Sequence, residues 1–139
     1  MTTINEYAKQ IGEWGKRKGW DMSKARAKGE RRRDFVLGKL MLVVTEVSEA
    51  AECVRDDDFD MRGGKPFRRK AYFERTRTRA PRYGHVEGIT KPEGMITELA
   101  DAVIRIMHLC DAMRLDLDAA IATKMAFNET RKHKHGRKA

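Results

Sequence analysis

The amino-acid sequence predicts an all-α protein and, more specifically, a four-helix bundle. Four segments carry apolar residues at helical spacing, no segment shows the alternation typical of a strand, and no segment repeats another. The chain has 139 residues, 40% of them hydrophobic, which is enough apolar material for one core. We therefore expect a single domain over residues 1–139.

The first helix is predicted between Ile4 and Arg17. The run Thr3-Ile4-Asn5-Glu6 has the form of a capping box, in which a hydroxyl and a carboxylate satisfy the first backbone amides of a helix. Apolar residues follow at helical spacing, namely Ile4, Tyr7, Ala8, Ile11 and Trp14. The polar, basic stretch from Trp20 to Arg33 is interpreted as a connection that merges into the next helix.

The three remaining helices follow from the same kind of pattern. A stripe with coiled-coil-like spacing predicts a second helix from Asp34 to Arg55, and its members are Leu37, Leu40, Met41, Val44, Val47, Ala51 and Val54. A cap at Thr90-Lys91-Pro92-Glu93 predicts a third helix that ends near Met113. This helix is apolar nearly all round, so we expect oligomerisation to complete the bundle. A fourth helix is predicted from Leu115 to Arg131, before a basic tail over 132–139.

A long irregular insert is predicted between the second and third helices, over residues 59–91. No helical or strand period persists there, and glycines and prolines interrupt it. Between Arg62 and Arg82 there are nine Lys and Arg against one acid, Glu74, a net charge of 9 − 1 = +8 out of +9 for the whole chain. This charge fits a lid or rim that attracts polyanionic nucleotides, a nucleic-acid contact, or a solvated loop.

The composition also bears on location. No apolar run approaches the roughly 20 residues that a membrane span requires, and the first residues lack a secretory pattern, so we expect a cytoplasmic protein with no membrane partner. Cys53 and Cys110 are isolated from each other and are interpreted as reduced, buried thiols.

Two acidic pairs are the first candidates for chemistry. Glu46 and Glu49 are three residues apart, as are Glu98 and Asp101, so each pair places two carboxylates side by side on a helix. A cation relieves the repulsion within each pair, and magnesium prefers such oxygen ligands. On a helical wheel, however, both pairs lie opposite the apolar stripes, where ordinary solvated acids also occur. Spacing alone leaves both interpretations open.

The fourth helix carries a second candidate group. One face of this helix begins with the apolar residues Leu117, Ala120 and Ile121. The same face continues with the polar residues Lys124, Asn128 and Arg131. A core-facing stripe that becomes cationic either runs out into solvent or meets an anion. Lys and Arg bind phosphate as a point charge and as a fork, and Asn adds an uncharged hydrogen-bonding group.

The order of these motifs resembles the MazG-like all-α nucleoside triphosphate pyrophosphatases, over Leu37 to Arg55 and Lys91 to Gly136. The resemblance implies hydrolysis of a nucleoside or deoxynucleoside triphosphate to the monophosphate and pyrophosphate, for nucleotide-pool control. It implies magnesium, with manganese as a substitute, held by Glu46, Glu49, Glu98 and Asp101. It further implies a homo-oligomer, either a dimer or a dimer of dimers.

The resemblance also implies roles for single residues. We expect Glu49 to orient or deprotonate the attacking water, although Glu46 is not distinguished from it. Lys124, Asn128 and Arg131 are expected to hold the phosphate tail. Trp14 is a candidate for contact with the base, with core packing as the alternative.

Two other functions stay open at the level of sequence. One is a helical nucleic-acid-binding protein without turnover, in which residues 62–82 and the tail from Lys132 to Lys138 contact phosphates. The other is an inactive structural bundle. His133 and His135 in the tail are interpreted as solvated, because basic residues surround them and no acid or Cys is near.

Overall fold

The computed structural model describes residues 1–56 and 94–131. The α-helices in these ranges are α1 (Ile4–Arg17), α2 (Gly29–Arg55), α3 (Met95–Met113) and α4 (Leu117–Glu129), and one 3₁₀ turn occupies Ser23–Arg26. These ranges contain no strand, so the all-α prediction is confirmed for them. The predicted insert over 59–91, with its basic run 62–82, and the tail over 132–139 lie outside the described residues.

The described residues form two compact units. The first comprises residues 1–38 and 106–131, and the second comprises residues 39–56 and 94–105, so α2 and α3 contribute residues to both. Within the described ranges, no helix combines the length and the apolarity that a membrane crossing needs. The prediction of one domain over 1–139 also covers residues outside these ranges and stays a prediction.

The capping box predicted at the start of α1 is confirmed. The Thr3 hydroxyl accepts a hydrogen bond from the Glu6 amide at 3.1 Å, and the Glu6 carboxylate accepts one from the Thr3 amide at 2.7 Å. The helix runs over Ile4–Arg17, as predicted. This agreement reflects the local nature of the motif, because all its donors and acceptors lie within four residues.

The starts of α1 and α4 cap each other through an arrangement that we call the N-terminal clasp, formed by Asn5, Asp116 and Asp118. The Asp118 carboxylate accepts the amides of Ile4 and Asn5 at 3.1 and 3.0 Å. In return, the Asn5 side-chain oxygen accepts the amide of Leu117 at 3.0 Å. Asp116, the N-cap of α4, accepts the Ala119 amide at 2.9 Å and the Asn5 side-chain amide at 2.8 Å. The clasp satisfies orphan donors of both helices and docks α1 against α4.

The end of α1 is set by Gly19. This residue has a φ of +80°, a left-handed conformation that glycine adopts without the cost a Cβ imposes. The amide of Trp20 bonds to the Gly15 carbonyl at 2.9 Å, and that of Gly19 bonds to the Lys16 carbonyl at 3.0 Å, which is the Schellman pattern. The hydrophobic contact typical of this pattern is present, since Trp20 packs edge-on against Trp14 with ring centroids 4.6 Å apart.

Two helices begin at residues other than those predicted. α2 begins at Gly29 and not at Asp34, because the exposed basic run before Asp34 consists of residues with good helix propensity. α3 begins at Met95, since Gly94 has a φ of +100° and so interrupts any helix that approaches from residue 91. The predicted cap at 90–93 lies outside the described residues.

Among the described residues, the apolar stripe of α2 is exposed and does not form a core. Leu40, Met41 and Val44 are between 45% and 60% exposed, and Val47 is also exposed, whereas Glu46 is 6% exposed. The helical wheel left open whether Glu46 is a solvated acid, and its burial excludes that interpretation. Helical periodicity defines two faces but does not say which one a neighbouring helix covers.

Most of the buried apolar side chains in the described ranges are small. The buried apolar side chains are Ala8, Ala25, Ala50, Ala102 and Leu109. Leu99, Val103 and Ile106 of α3 are at least 37% exposed, so the apolar face of that helix is also open within the chain. Cys53 and Cys110 are free thiols, as predicted, but only half-buried, and burial raises the pKa of the Cys110 thiol.

Candidate metal centre

Three carboxylates predicted as metal ligands come together in the second unit. Glu46 of α2, Glu98 of α3 and Asp101 of α3 each place one carboxylate oxygen within 4.8 Å of the other two. Glu98 and Asp101 are neighbours because they are three residues apart on one helix, whereas Glu46 joins them through tertiary structure. The cluster lies beside packed positions, since Ala50 and Ala102 are both buried.

Arg105 neutralises the buried member of this cluster. Its Nε donates to Glu46 Oε1 at 2.6 Å, and its Nη2 lies 2.5 Å from the same oxygen. The Glu46 side chain is 7% exposed and that of Arg105 is 42% exposed, so the guanidinium reaches from the surface to a buried charge. A carboxylate buried this deeply requires a cation or a hydrogen-bond donor.

The donor set fits a hard divalent cation. Magnesium takes oxygen ligands at about 2.1 Å in an octahedron, so two ligands lie about 3.0 Å apart when adjacent and about 4.2 Å apart when opposite. Oxygens within 4.8 Å of one another reach that geometry through small side-chain rotations. The three carboxylates and the Arg105 guanidinium carry formal charges that sum to −3 + 1 = −2.

Glu49, the fourth predicted ligand, is not one of the three clustered carboxylates. It lies on α2 three residues after Glu46 and is exposed. Its spacing keeps it on the helix surface next to Glu46, which is compatible with a carboxylate that acts on water more than on the ion. The roles of Glu49 as a metal ligand and as the group that activates water both stay predictions.

The predicted substrate-binding residues belong to the first unit. Lys124 and Asn128 lie on α4, Arg131 follows its C-cap, and all three are exposed. The Lys124 ammonium lies 5.4 Å from the centre of the Phe127 ring, a cation–π contact one helical turn along. Trp14 is half-buried, and its ring centroid is 4.6 Å from that of Trp20, so part of the ring is used in packing. Their contact with phosphate or base stays a prediction.

Arg105 is the residue that sequence reasoning missed. A weak signal was present, because Arg105 is the one basic residue within the otherwise apolar and acidic α3 segment Met95–Met113 apart from His108. It follows Asp101 by four residues, which places it on the same helix face. Its partner Glu46 is 59 positions earlier in the chain, and no local pattern predicts such a pairing.

Comparison with protein-family models, with curated proteins and with solved structures gives no match. The resemblance to the MazG-like pyrophosphatases therefore rests on the order and spacing of the motifs in the sequence.

Proposed function

We propose that this protein is a magnesium-dependent pyrophosphohydrolase that converts nucleoside or deoxynucleoside triphosphates to the monophosphate and pyrophosphate. The observation that carries the proposal is the grouping of Glu46, Glu98 and Asp101 within 4.8 Å, with Arg105 bonded to the buried member. A four-helix bundle of the MazG-like type, located in the cytosol and used for nucleotide-pool control, is part of the same proposal.

In this proposal Glu46, Glu98 and Asp101 hold magnesium, or manganese in its place. Held there, the ion would supply charge neutralisation and Lewis-acid chemistry for phosphoryl transfer to water. Glu49 orients or deprotonates the attacking water, for which its exposed position next to Glu46 is suited. The cationic end of α4 binds the phosphate tail through Lys124, Asn128 and Arg131, and Trp14 lies towards the base.

Self-association is the second element of the proposal. In the second unit, α2 exposes Leu40, Met41, Val44 and Val47, and α3 exposes Leu99 and Val103. Apolar side chains at helical spacing that no other part of the described chain covers are typical of a helix–helix interface between copies. A homodimer, or a dimer of dimers, buries these stripes and explains why they are apolar.

The test is pyrophosphate release from a panel of canonical and modified triphosphates, with magnesium and with EDTA. We expect release that requires magnesium and that Glu98→Gln and Glu49→Gln each lower by at least about 100-fold, as for loss of a group essential to the transition state. The matched control is Glu52→Gln, because Glu52 is also an exposed acid of α2 and only pairs with Arg55 at 3.3 Å.

The result that contradicts the proposal is an absence of release from every triphosphate by protein shown to be folded. Tight, salt-sensitive binding of oligonucleotides by the same protein then favours the nucleic-acid alternative through residues 62–82. Release that persists in Glu98→Gln, in contrast, contradicts the assignment of the acidic cluster but not the reaction.

A further inference from the structure

A cavity of about 510 Å³ opens in the first unit, and none of the residues assigned above to metal or phosphate binding lines it. Its walls come from α1, from the segment between α1 and α2, and from the end of α3. Its size lies within the range of about 300–1,000 Å³ that is typical of small-molecule sites. Two aromatic rings, Trp20 and His108, and three cations, Lys16, Arg26 and Arg114, line it.

The aromatic wall is held in place by its packing. Trp20 follows the Schellman end of α1 and rests edge-on against Trp14, at an interplanar angle of 77°. Its ring centroid is 6.0 Å from that of the buried His108. Gly15 makes room for this imidazole, because a Cβ at position 15 would lie 2.7 Å from His108 Cε1 and Nε2. Trp20 itself stays 48% exposed, so a ring surface remains for a ligand.

The two acids in the cavity wall are engaged in local structure, and the three cations are not. Asp21 accepts the Ser23 amide at 2.8 Å, and the Asp111 carboxylate packs against Gly12, where a Cβ would overlap it. Within the described ranges, no ion pair with an acid involves any of the three cations. The three cations and the two acids together give the cavity wall a formal charge of 3 − 2 = +1.

Arg114 occupies a backbone conformation that glycine normally takes. Its φ is +57°, and it is the one non-glycine residue of the described ranges with positive φ. The amide of Leu115 bonds to the Cys110 carbonyl at 2.9 Å, so Arg114 stands at the left-handed position of a second Schellman end. A side chain retained at a strained position is typical of a functional site, and this one lines the cavity.

We propose that this cavity binds a nucleoside monophosphate, with the base on Trp20 and the phosphate among Lys16, Arg26 and Arg114. A phosphate monoester offers three acceptor oxygens and a charge of about −1.5 to −2. It therefore matches the three cations of the wall better than a ligand with a single carboxylate would. Stacking on an exposed indole is tolerant of base identity. The site is therefore expected to require a phosphate and a planar base but to discriminate little among bases or sugars. The site needs neither magnesium nor the acidic cluster, and so it stands independently of the pyrophosphatase proposal.

Tryptophan fluorescence can be used to measure binding in this cavity. Trp14 and Trp20 are its two tryptophans, and both belong to the aromatic wall. The experiment is a fluorescence titration of the full chain in EDTA, excited where nucleotides do not absorb, with AMP, GMP, CMP and UMP as probes. The free nucleosides, inorganic phosphate and a short oligonucleotide are titrated in parallel. We expect saturable quenching by a monophosphate and at least tenfold weaker binding of its nucleoside.

Variants assign the signal to the cavity. We expect Lys16→Gln and Arg26→Gln each to weaken binding about tenfold, as for loss of one charge-assisted hydrogen bond. Arg17→Gln is the matched control, because Arg17 shares the last turn of α1 with Lys16 but does not line the cavity. Binding in EDTA is expected to be unchanged in Glu98→Gln.

Arg114→Gly separates ligand binding from a purely structural role of Arg114. Glycine removes the backbone strain, so we expect a higher melting temperature together with weaker binding. The proposal is overturned by an absence of saturable quenching from all four monophosphates, by equal affinities in the wild type, Lys16→Gln and Arg26→Gln, or by full binding in Arg114→Gly. Quenching by the oligonucleotide alone also overturns it and assigns the cavity to nucleic acid.

Discussion

Replacing Arg105 by Met removes the guanidinium from the buried carboxylate of Glu46 while keeping a long apolar stem. Breaking an ion pair with both partners buried costs about 3–5 kcal/mol of unfolding free energy. Here the Glu46 side chain is 7% exposed but that of Arg105 is 42% exposed, so water screens part of the interaction. We expect Arg105→Met to lower the unfolding free energy by about 2 kcal/mol in the absence of divalent cations. This value lies between the costs of breaking an exposed ion pair and a buried one.

Magnesium should reverse this loss, because in the proposed site the ion and Arg105 compete for the same carboxylate. Without the competing guanidinium, magnesium is expected to bind Arg105→Met about tenfold more tightly, equivalent to about 1.4 kcal/mol. Stabilisation by a ligand that binds only the folded state then grows with its concentration, so the variant approaches wild-type stability in excess magnesium.

The assay is urea denaturation with and without magnesium, together with calorimetric titration of magnesium into the folded protein. The matched control is Arg55→Met, because Arg55 pairs with Glu52 at 3.3 Å while both side chains are more than 60% exposed. That variant is expected to lose less than about 0.5 kcal/mol and to bind magnesium as the wild type does. Equal losses in the two variants, or weaker magnesium binding by Arg105→Met, would refute the competition between Arg105 and the ion.

Three further outcomes are expected. Val44→Glu, on the exposed stripe of α2, should convert the proposed oligomer into monomers by light scattering, and an unchanged mass contradicts that interface. Asp118→Ala should lower the unfolding free energy by about 1–2 kcal/mol, since two amides of α1 lose their acceptor, and an unchanged urea midpoint contradicts the clasp. The Ala119 amide and then the Asn5 side chain hold the pKa of Asp116 below its ordinary value, so its contribution to stability is present above about pH 4 and is lost as the pH falls through the folded pKa. Asp116→Asn keeps a capping side chain that does not titrate, so the unfolding free energy of this variant should decrease less as the pH is lowered. An identical decrease in the variant and the wild type contradicts this assignment.

The features that the sequence predicted well are those settled within one or two helical turns. The bounds of α1 and its capping box depend on residues that are close in the chain, and periodicity identified all four helices. The start of α3 was predicted too early because the left-handed conformation of Gly94 is not evident from residue type. Propensity indicates a helix, but a single glycine torsion decides where it begins.

Which face of each helix is buried could not be predicted from the sequence and became clear only from the structure. The wheel of α2 separated Glu46 from Val44 and Val47 correctly but left open whether the acid is solvated or buried. Burial of Glu46 depends on Arg105, and the acidic cluster depends on a meeting of α2 and α3, neither of which a local pattern encodes. In the same way, the need for glycine at position 15 becomes clear only when His108 is seen against it.

The N-terminal clasp has a consequence for the order in which the chain folds. Its bonds from the Ile4 and Asn5 amides to Asp118 span 114 and 113 positions, whereas the Thr3–Glu6 box spans three. During synthesis, at about 5–20 residues per second, the first helix therefore emerges with its local cap complete and its long-range cap missing for several seconds or more. Until Asp118 leaves the ribosome, α1 is a short helix of marginal stability, and it can dock through the clasp only after the 113 residues that follow Asn5 have been made.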